Sequence, residues 1–242
     1  MNDSKTDTRK TYEYVYEYFS DQILSGKLKI HDKIPPERDI AQELGVSRNS
    51  VREVLHILEI NGLIECLQGS GNYVRCDPQE YMMKSVHLMI SLLNIRYTEV
   101  FDLRYAYEMT AIKLAMDHIS SLELEQMHDI LVRMDDKSLT ARESAELDIA
   151  FHNKLLNASG NRLLILYTQM ISNLMDQFIK DFRAKILMNP DRARALRSAH
   201  WEIYRALSAG DKDGGRAAME EHFRVVKEEM DSLDPEELNH KE

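Results

Sequence analysis

A chain of 242 residues, 43% of them apolar, is long enough for two domains and apolar enough to bury a core. No apolar run reaches the ~18 residues of a membrane-spanning helix, and the polar start MNDSKTDTRK lacks the apolar core of a signal peptide. We therefore expect a cytoplasmic protein without a membrane partner. Cys66 and Cys76, the only cysteines, form no CxxC motif, so a disulfide framework and a cysteine zinc site are both disfavoured.

The net charge of −10 argues against a generally basic surface for nucleic acid. Residues 1–76 carry 10 Lys and Arg against 12 Asp and Glu, whereas the rest of the chain carries 21 against 29. Any contact with DNA must therefore come from a local cluster of basic side chains in the front segment.

The spacing of glycine and proline divides the chain near residue 77. Glycines are frequent up to Gly71 and then absent until Gly160, and no proline follows Pro78 until Pro190. This stretch without strong helix breakers predicts long helices after the joint CDPQE, where Pro78 suits the first turn of a helix. We predict one domain over 1–76, a linker over 77–80, a second domain over 81–233 and a frayed tail over 234–242.

The front domain is predicted to contain three helices and a hairpin. An apolar stripe over 11–24 predicts the first helix, and PPERDIAQELG, residues 35–45, predicts the second, with proline near its start and glycine at its C-cap. Residues 47–61 predict the third, with Ser47 as its N-cap. The alternation around Gly-Ser-Gly in LIECLQGSGNYVRC, residues 63–76, predicts a hairpin. This order is that of a winged helix-turn-helix, whose recognition helix enters the major groove of DNA.

The N-terminal end of the third helix carries the candidate DNA contacts Ser47, Arg48, Asn49 and Arg52. Arginine suits guanine edges or phosphates, and serine and asparagine can bond to either. Alternatively, Arg48 and Arg52 stand four apart and Arg52 adjoins Glu53, so both arginines could belong to a solvated helix face. The glycines at the hairpin tip favour DNA binding, because glycine lets a backbone approach closely.

The stretch PPERDIAQELGVSRNSVRE, within residues 11–75, resembles the DNA-binding domain of GntR-type bacterial transcription regulators. The resemblance implies that Arg38, Arg48 and Arg52 contact DNA. It also implies that Gly69, at the tip of the wing, approaches the minor groove.

The second domain is predicted to be an all-α bundle, which makes the whole protein mainly α. Its apolar residues recur at helical spacing, Gly160 and Gly210 suit helix C-caps, and Asn161, Asp191 and Asp211 suit helix starts. The predicted helices lie at about 80–94, 97–118, 121–137, 140–157, 161–187, 191–209 and 212–231.

Asp148 and His152 stand four apart in the half-apolar stretch ELDIAFHNKLL, and positions four apart share a helix face. Taken alone, such a pair is usually a helix ion pair or a histidine with an ordinary partner. His200 and His222, however, lie on apolar faces of two later helices. Three histidines and a carboxylate that converge in a bundle core would form a divalent-metal site with room for water or a ligand.

Arg104 lies on a helix face with Val100, Phe101 and Ala111 and so is expected to be largely buried. Glu108, four residues later, could simply neutralise its charge. Alternatively, the planar guanidinium of Arg104 could receive the carboxylate of a ligand.

The stretches FDLRYAYEMTAIKLA, DIAFHNKLLNASGN, AHWEIYRALSAGD and AAMEEHF resemble the FCD ligand-sensing domain of the FadR-type subfamily. The resemblance, which extends over nearly the whole chain, implies a metal site, typically zinc or nickel, at Asp148, His152, His200 and His222. It implies that Arg104 meets an acidic effector such as a hydroxy acid, a keto acid or a sugar acid. An acyl-CoA effector is less expected, because the fatty-acyl-CoA sensor of the subfamily lacks such a metal site.

These expectations combine into a transcription regulator, a repressor whose operator affinity is controlled by a carboxylate metabolite. A single winged helix contacts few bases, so we expect a homodimer on a two-fold symmetric operator. A purely structural metal, or regulation by the metal itself, remains an alternative. A metal-dependent enzyme is disfavoured, because no further acid or base is placed near the candidate metal ligands and the DNA-binding segment would be unexplained.

Overall fold

The computed structural model describes residues 3–77 and 80–233 of the chain. The chain divides into two compact units, Met1–Val86 and His87–Glu242. The predicted architecture is confirmed: a mainly α chain with an N-terminal winged helix-turn-helix followed by an all-α bundle. The elements are α1 (Asp3–Leu24), α2 (Glu37–Leu44), α3 (Arg48–Ile60), β1 (Ile64–Leu67), β2 (Gly71–Val74), α4 (Glu80–Leu92), α5 (Tyr97–His118), α6 (Ser121–Met134), α7 (Ala141–Ala158), α8 (Arg162–Met170), α9 (Ser172–Met188), α10 (Pro190–Ala209) and α11 (Lys212–Asp231).

The winged helix-turn-helix of the first unit follows the predicted order. Gly45 ends α2 in the left-handed conformation, at φ 66°, which glycine adopts without strain. The Ser47 side chain then accepts a hydrogen bond from the backbone N–H of Ser50, at 3.1 Å, and so caps α3. The antiparallel strands pair in the register Ile64↔Val74 to Leu67↔Gly71, which confirms the hairpin.

An apolar core fixes the orientation of α3 in the first unit. Val51, Val54 and Leu58 of α3 are buried against Phe19 of α1 and Ile64 of β1. Because one face of α3 is committed to this core, the opposite face, which carries Arg48, Asn49 and Arg52, is exposed.

The second unit is a bundle in which α10 packs against α11, α7 packs against α9, and α5 packs against both α7 and α11. Phe151, Phe178 and Phe223 are among its fully buried side chains. Capping boxes at Ser120 and Thr140 begin α6 and α7. Within the described residues, no helix is long and apolar enough to cross a bilayer.

The helix starts predicted from capping residues are mostly confirmed. Asn161 and Asp211 accept backbone N–H groups at the starts of α8 and α11. The prediction for Asp191 was wrong, because Asn189 caps α10, Pro190 is its first residue and Asp191 lies in its first turn.

The single helix predicted over 161–187 is two helices, α8 and α9, separated at Ile171. Neither glycine nor proline marks this break, so the sequence pattern gave no signal of it. The Thr168 hydroxyl donates to the carbonyls of Leu164 and Ile165, at 3.0 Å each. Such back-bonding is found in bent helices, but Thr110 makes the same contact with the Ala106 carbonyl inside the unbroken α5, so it does not explain the break.

The proposed joint and tail lie partly or wholly outside the described residues. Pro78 and residue 79 of the predicted 77–80 linker are not described, nor are residues 234–242 of the predicted tail. The start of α4 at Glu80 is the first described feature after the joint.

Leu58→Ala should lower the free energy of unfolding by about 2–5 kcal/mol, because Leu58 is 2% exposed and the substitution leaves a cavity in the core. Leu24→Ala is the matched control, since Leu24 is 84% exposed and should change stability by less than about 0.5 kcal/mol. Urea unfolding monitored by circular dichroism measures both. Equal effects of the two variants would contradict this assignment of the core.

Candidate metal centre and nucleic-acid interface

Three helices of the second unit bring the four predicted metal ligands together. Helix α7 carries Asp148 and His152 one turn apart, α10 carries His200 and α11 carries His222. All four side chains are buried, and one potential ligand atom of each lies within 4.8 Å of the others. Three helices that are far apart in sequence thus converge on one point of the bundle core.

The distances within this cluster suit a shared cation. His200 Nε2 lies 3.4 Å from His152 Nε2 and 3.0 Å from Asp148 Oδ1. Two ligand atoms bound to one tetrahedral ion at about 2.0–2.1 Å stand about 3.3 Å apart. The cluster could therefore close around a divalent ion with small movements of its side chains.

The tautomer of His200 supports the same conclusion. His200 Nδ1 lies 2.8 Å from the Leu196 carbonyl oxygen and donates its hydrogen to it, and burial lowers the pKa of His200. In the neutral imidazole, Nε2 then carries a lone pair that faces the Asp148 carboxylate. Acceptors that face each other in a dry core repel, and a bound cation would remove that repulsion.

His152 is oriented by a chain of charged groups on α5. Its Nδ1 lies 2.5 Å from Glu108 Oε2, and Glu108 Oε1 accepts a hydrogen bond from Arg104 Nε at 2.8 Å. A carboxylate on one ring nitrogen leaves the other nitrogen free to bind a metal and makes it a stronger donor to the ion. The sequence offered Glu108 only as a neutralising partner for Arg104, so its contact with His152 is a new finding.

His222 is the ligand whose environment is least explained without a cation. Neither of its ring nitrogens has a hydrogen-bond partner among the described residues, although the side chain is buried. Burial, reinforced by the neighbouring His200 and His152, holds the pKa of His222 well below its usual value. A neutral, buried and unpartnered imidazole is costly unless something binds its lone pair.

Arg183 of α9 is a buried site residue that the sequence analysis missed. Its Nη1 donates to Asp148 Oδ1 at 2.8 Å, and its Nε donates to Ser144 Oγ at 3.0 Å. Burial alone would raise the pKa of Asp148, but neighbouring charge, first of all the Arg183 guanidinium, outweighs it and holds that pKa well below the usual value. Arg183 lies 35 residues from Asp148 in the chain, and no local motif connects the two.

Arg104 presents one unused edge to the cluster. Its Nη2 lies 4.0 Å from Asp148 Oδ2 and has no hydrogen-bond partner among the described residues. The guanidinium also faces the rings of Phe223 and Phe178, with its carbon 5.6 and 6.0 Å from their centroids. A buried donor without a partner, beside a possible metal ion, is suited to bind a carboxylate oxygen.

The space between these groups is small. A cavity of about 10 Å³ is bounded by Arg104, Asp148, Arg183 and His222, together with apolar side chains of α9, α10 and α11. This volume corresponds to roughly one water molecule. A larger ligand would have to displace side chains to enter it.

In the first unit, four of the predicted DNA contacts lie at the exposed N-terminal end of α3, and Arg38 lies in α2. Ser47, Arg48 and Asn49 are exposed, and Arg48 forms no ion pair within the described residues. Arg52 forms an ion pair with Glu37 at 2.8 Å, so it would have to exchange that carboxylate for a phosphate or a base edge. The Arg38 side chain is 73% exposed, and its one ion pair among the described residues is with its neighbour Asp39.

Two further groups of the first unit lie at the wing. Gly69 adopts a left-handed φ of 77° at the exposed tip, and no atom lies within 4 Å of the position that a Cβ would take. Lys33 forms an isolated bridge with Tyr73, and its ammonium lies 5.7 Å from the Tyr73 ring centroid. Lys33 was not among the predicted contacts, because it lies between α1 and α2 in the chain and approaches the wing only in the fold.

Two protein-family profiles match the chain, one in each unit. The profile "Bacterial regulatory proteins, gntR family" matches residues 11–74, and the profile "FCD domain" matches residues 99–225. The HTH-type transcriptional regulator LutR of Bacillus subtilis is 28% identical over 207 residues, which cover 85% of this chain and 94% of LutR. The Glc operon transcriptional activator of Escherichia coli K12 is 27% identical over 242 residues, covering 96% of this chain and 93% of the activator.

A solved structure, that of Streptococcus agalactiae GntR, shares the fold. It superposes with a TM-score of 0.63 at 23% sequence identity, covering 90% of this chain and 99% of the other. The FCD profile alone spans more than half of the chain, and the gntR profile covers the winged helix-turn-helix. The chain therefore belongs to the GntR family of bacterial regulatory proteins, as a DNA-binding transcription regulator with an FCD ligand-binding domain.

Proposed function

We propose that this regulator is a repressor whose operator affinity is controlled by a small carboxylate bound at a divalent metal ion. Asp148, His152, His200 and His222 would hold the ion, which we propose is zinc or nickel. The observation that carries the proposal is the convergence of four buried side chains, among them His222, whose ring nitrogens have no hydrogen-bond partner among the described residues. Imidazole and carboxylate ligands suit both ions.

The second unit would recognise the acid through its charge. A bound divalent ion would supply positive charge and an open coordination position for a carboxylate oxygen. The unused Nη2 of Arg104 would donate to the same carboxylate, while Arg183 keeps Asp148 ionised. Hydroxy, keto and sugar acids fit this chemistry, because a second oxygen beside the carboxylate can also reach a metal ion.

The first unit would recognise DNA through the exposed end of α3 and the wing. Arg48, Arg52, Ser47 and Asn49 would reach base edges and phosphates in the major groove. Arg38 would contact phosphate, and Gly69 would allow the wing to approach the minor groove. Two copies of the chain would bind a two-fold operator, since one winged helix alone contacts few bases.

The acid can change operator affinity only if it binds the DNA-competent and DNA-incompetent states with different affinity.

A purely structural or sensed metal is the second candidate. The small cavity favours it, because about 10 Å³ leaves room for roughly one water molecule and none for an acid without rearrangement. In this case His200→Ala would destabilise the bundle and the protein would not respond to acids. The enzyme alternative is set aside, since the family consists of transcription regulators.

Glu108→Gln should weaken metal binding about 10–100-fold, because it removes the carboxylate charge that orients His152 and strengthens it as a ligand. Competition titration against a fluorescent zinc chelator measures the affinity. Asp102→Asn, on the exposed face of the same helix, is the matched control and should leave the affinity unchanged. Equal losses in the two variants would contradict the role given to Glu108.

A panel of glycolate, L-lactate, pyruvate and D-gluconate should contain at least one acid that raises the melting temperature of the metal-loaded protein. At 100 times its Kd, such an acid adds about 2.7 kcal/mol to the free energy of unfolding. Thermal unfolding with and without EDTA measures the effect, which should vanish with EDTA or with His200→Ala. A large loss of stability with EDTA alone and no response to any acid would favour the structural metal.

Arg48→Ala combined with Arg52→Ala should abolish specific binding to operator DNA selected from the genome that encodes the protein. For residual binding, a plot of the logarithm of the binding constant against the logarithm of the salt concentration has a negative slope. Each lost phosphate contact should reduce the magnitude of that slope by about 0.9. Fluorescence anisotropy at several salt concentrations measures both. Arg216→Ala with Arg224→Ala, on the exposed face of α11, is the control of equal charge change. Operator affinity that survives the first pair, or that rises when the acid is added, would contradict the proposed repressor.

A further inference from the structure

We propose that a basic pocket between α6, α7, α9 and α10 is the port through which anions reach the metal site. This inference rests on the proposed function, because it assumes a metal ion at Asp148, His152, His200 and His222. The pocket has a volume of about 470 Å³ and is lined from four segments of the second unit. It is therefore large enough for a small organic acid, which the inner cavity of about 10 Å³ is not.

The charge of the pocket is opposite to that of the protein. Lys137, Arg183, Arg194 and Arg197 line it against one acid, Asp136, although the chain carries a net charge of −10. A concave site of one sign focuses the field and raises the local concentration of ions of the other sign. Such a pocket would collect anions that the rest of the surface repels.

The basic side chains of the pocket are largely available. Lys137 and Arg197 form no ion pair within the described residues, and Arg194 has only a 3.4 Å contact with the exposed Asp191. The carboxylate of Asp136 accepts hydrogen bonds from the N–H and hydroxyl of Ser138, at 2.8 and 2.7 Å. The one acid in the lining forms no ion pair with the arginines among the described residues, and its charge offsets only one of the four basic side chains.

Arg183 connects the pocket to the metal site. It lines both the pocket and the inner cavity, and its guanidinium bridges Ser144 on the pocket side and Asp148 on the cavity side. Ser144 and Asp148 are one turn apart on α7, so this single side chain forms the partition between the two spaces. An anion in the pocket would compete with Asp148 for the guanidinium, and rotation of Arg183 would then open the way to the metal.

The test uses the full-length protein loaded with Co²⁺, whose visible absorption reports metal loss. Pyridine-2,6-dicarboxylate is the anionic chelator, and 1,10-phenanthroline is a neutral chelator of similar size. Arg197→Glu should slow extraction by the dianion about tenfold at low salt and leave extraction by phenanthroline within about twofold. The difference should disappear near 1 M salt, where screening is strong.

Three further variants distinguish the effect of charge from the route that the chelator takes. Leu139→Trp, which narrows the pocket, should slow extraction by both chelators. Arg205→Glu, on the same helix as Arg197 but outside the pocket and exposed, should slow neither. Lys137→Glu provides a second charge reversal, at an exposed position where the fold should tolerate it.

The outcomes distinguish the port from the metal site itself. The proposed port is wrong if Arg197→Glu, Lys137→Glu and Leu139→Trp all bind Co²⁺ and lose it to the chelators at the wild-type rate. The proposed function would still stand in that case. A rate that does not depend on chelator concentration would also overturn it, because the metal would then leave before meeting the chelator. If Co²⁺ fails to bind, or binds equally well to His200→Ala, the metal site and the port both fail.

Discussion

The second unit depends on how it accommodates several charges in the core of a helical bundle. Asp148, Glu108, Arg104 and Arg183 are all buried, and three buried histidines lie among them. Isolated buried charges are very costly, so each must be compensated by a partner within hydrogen-bond reach. Arg183 compensates Asp148, and Arg104 compensates Glu108. The ring nitrogens of His222 and Arg104 Nη2 have no hydrogen-bond partner among the described residues, and both side chains line the inner cavity.

This pattern of compensation separates a binding site from an ordinary buried ion-pair network. A network built only for stability would satisfy its own donors and acceptors. Here Arg183 donates to Asp148 and Arg104 Nε donates to Glu108, whereas His222 and Arg104 Nη2 have no hydrogen-bond partner among the described residues and line a common cavity. A cation would suit the acceptor atoms of the three imidazoles and the carboxylate. An anion would suit Arg104 Nη2, which is a donor without a hydrogen-bond partner among the described residues. A metal ion with a coordinated carboxylate would meet both requirements, and the proposed port behind Arg183 would give that anion a route.

The first unit exposes arginine side chains on its surface, although the protein as a whole is acidic. The apolar face of α3 is fixed by its contacts with α1 and β1, so Arg48 and Arg52 project from the other face. The Glu37–Arg52 ion pair is exposed, and a surface pair of this kind contributes little to stability. Exchanging Glu37 for a phosphate would therefore cost little, which suits a reversible DNA-binding surface.

The sequence by itself determined the local elements of this protein and the types of residue that could act. Periodicity, caps and turn glycines located the helices and the hairpin, because these signals depend on neighbours within a few residues. The Asp148–His152 pair was visible for the same reason. The break at Ile171, the contact of Glu108 with His152 and the role of Arg183 came only from the tertiary structure. Each depends on side chains from different helices meeting in the core, and no local pattern encodes that distance or direction.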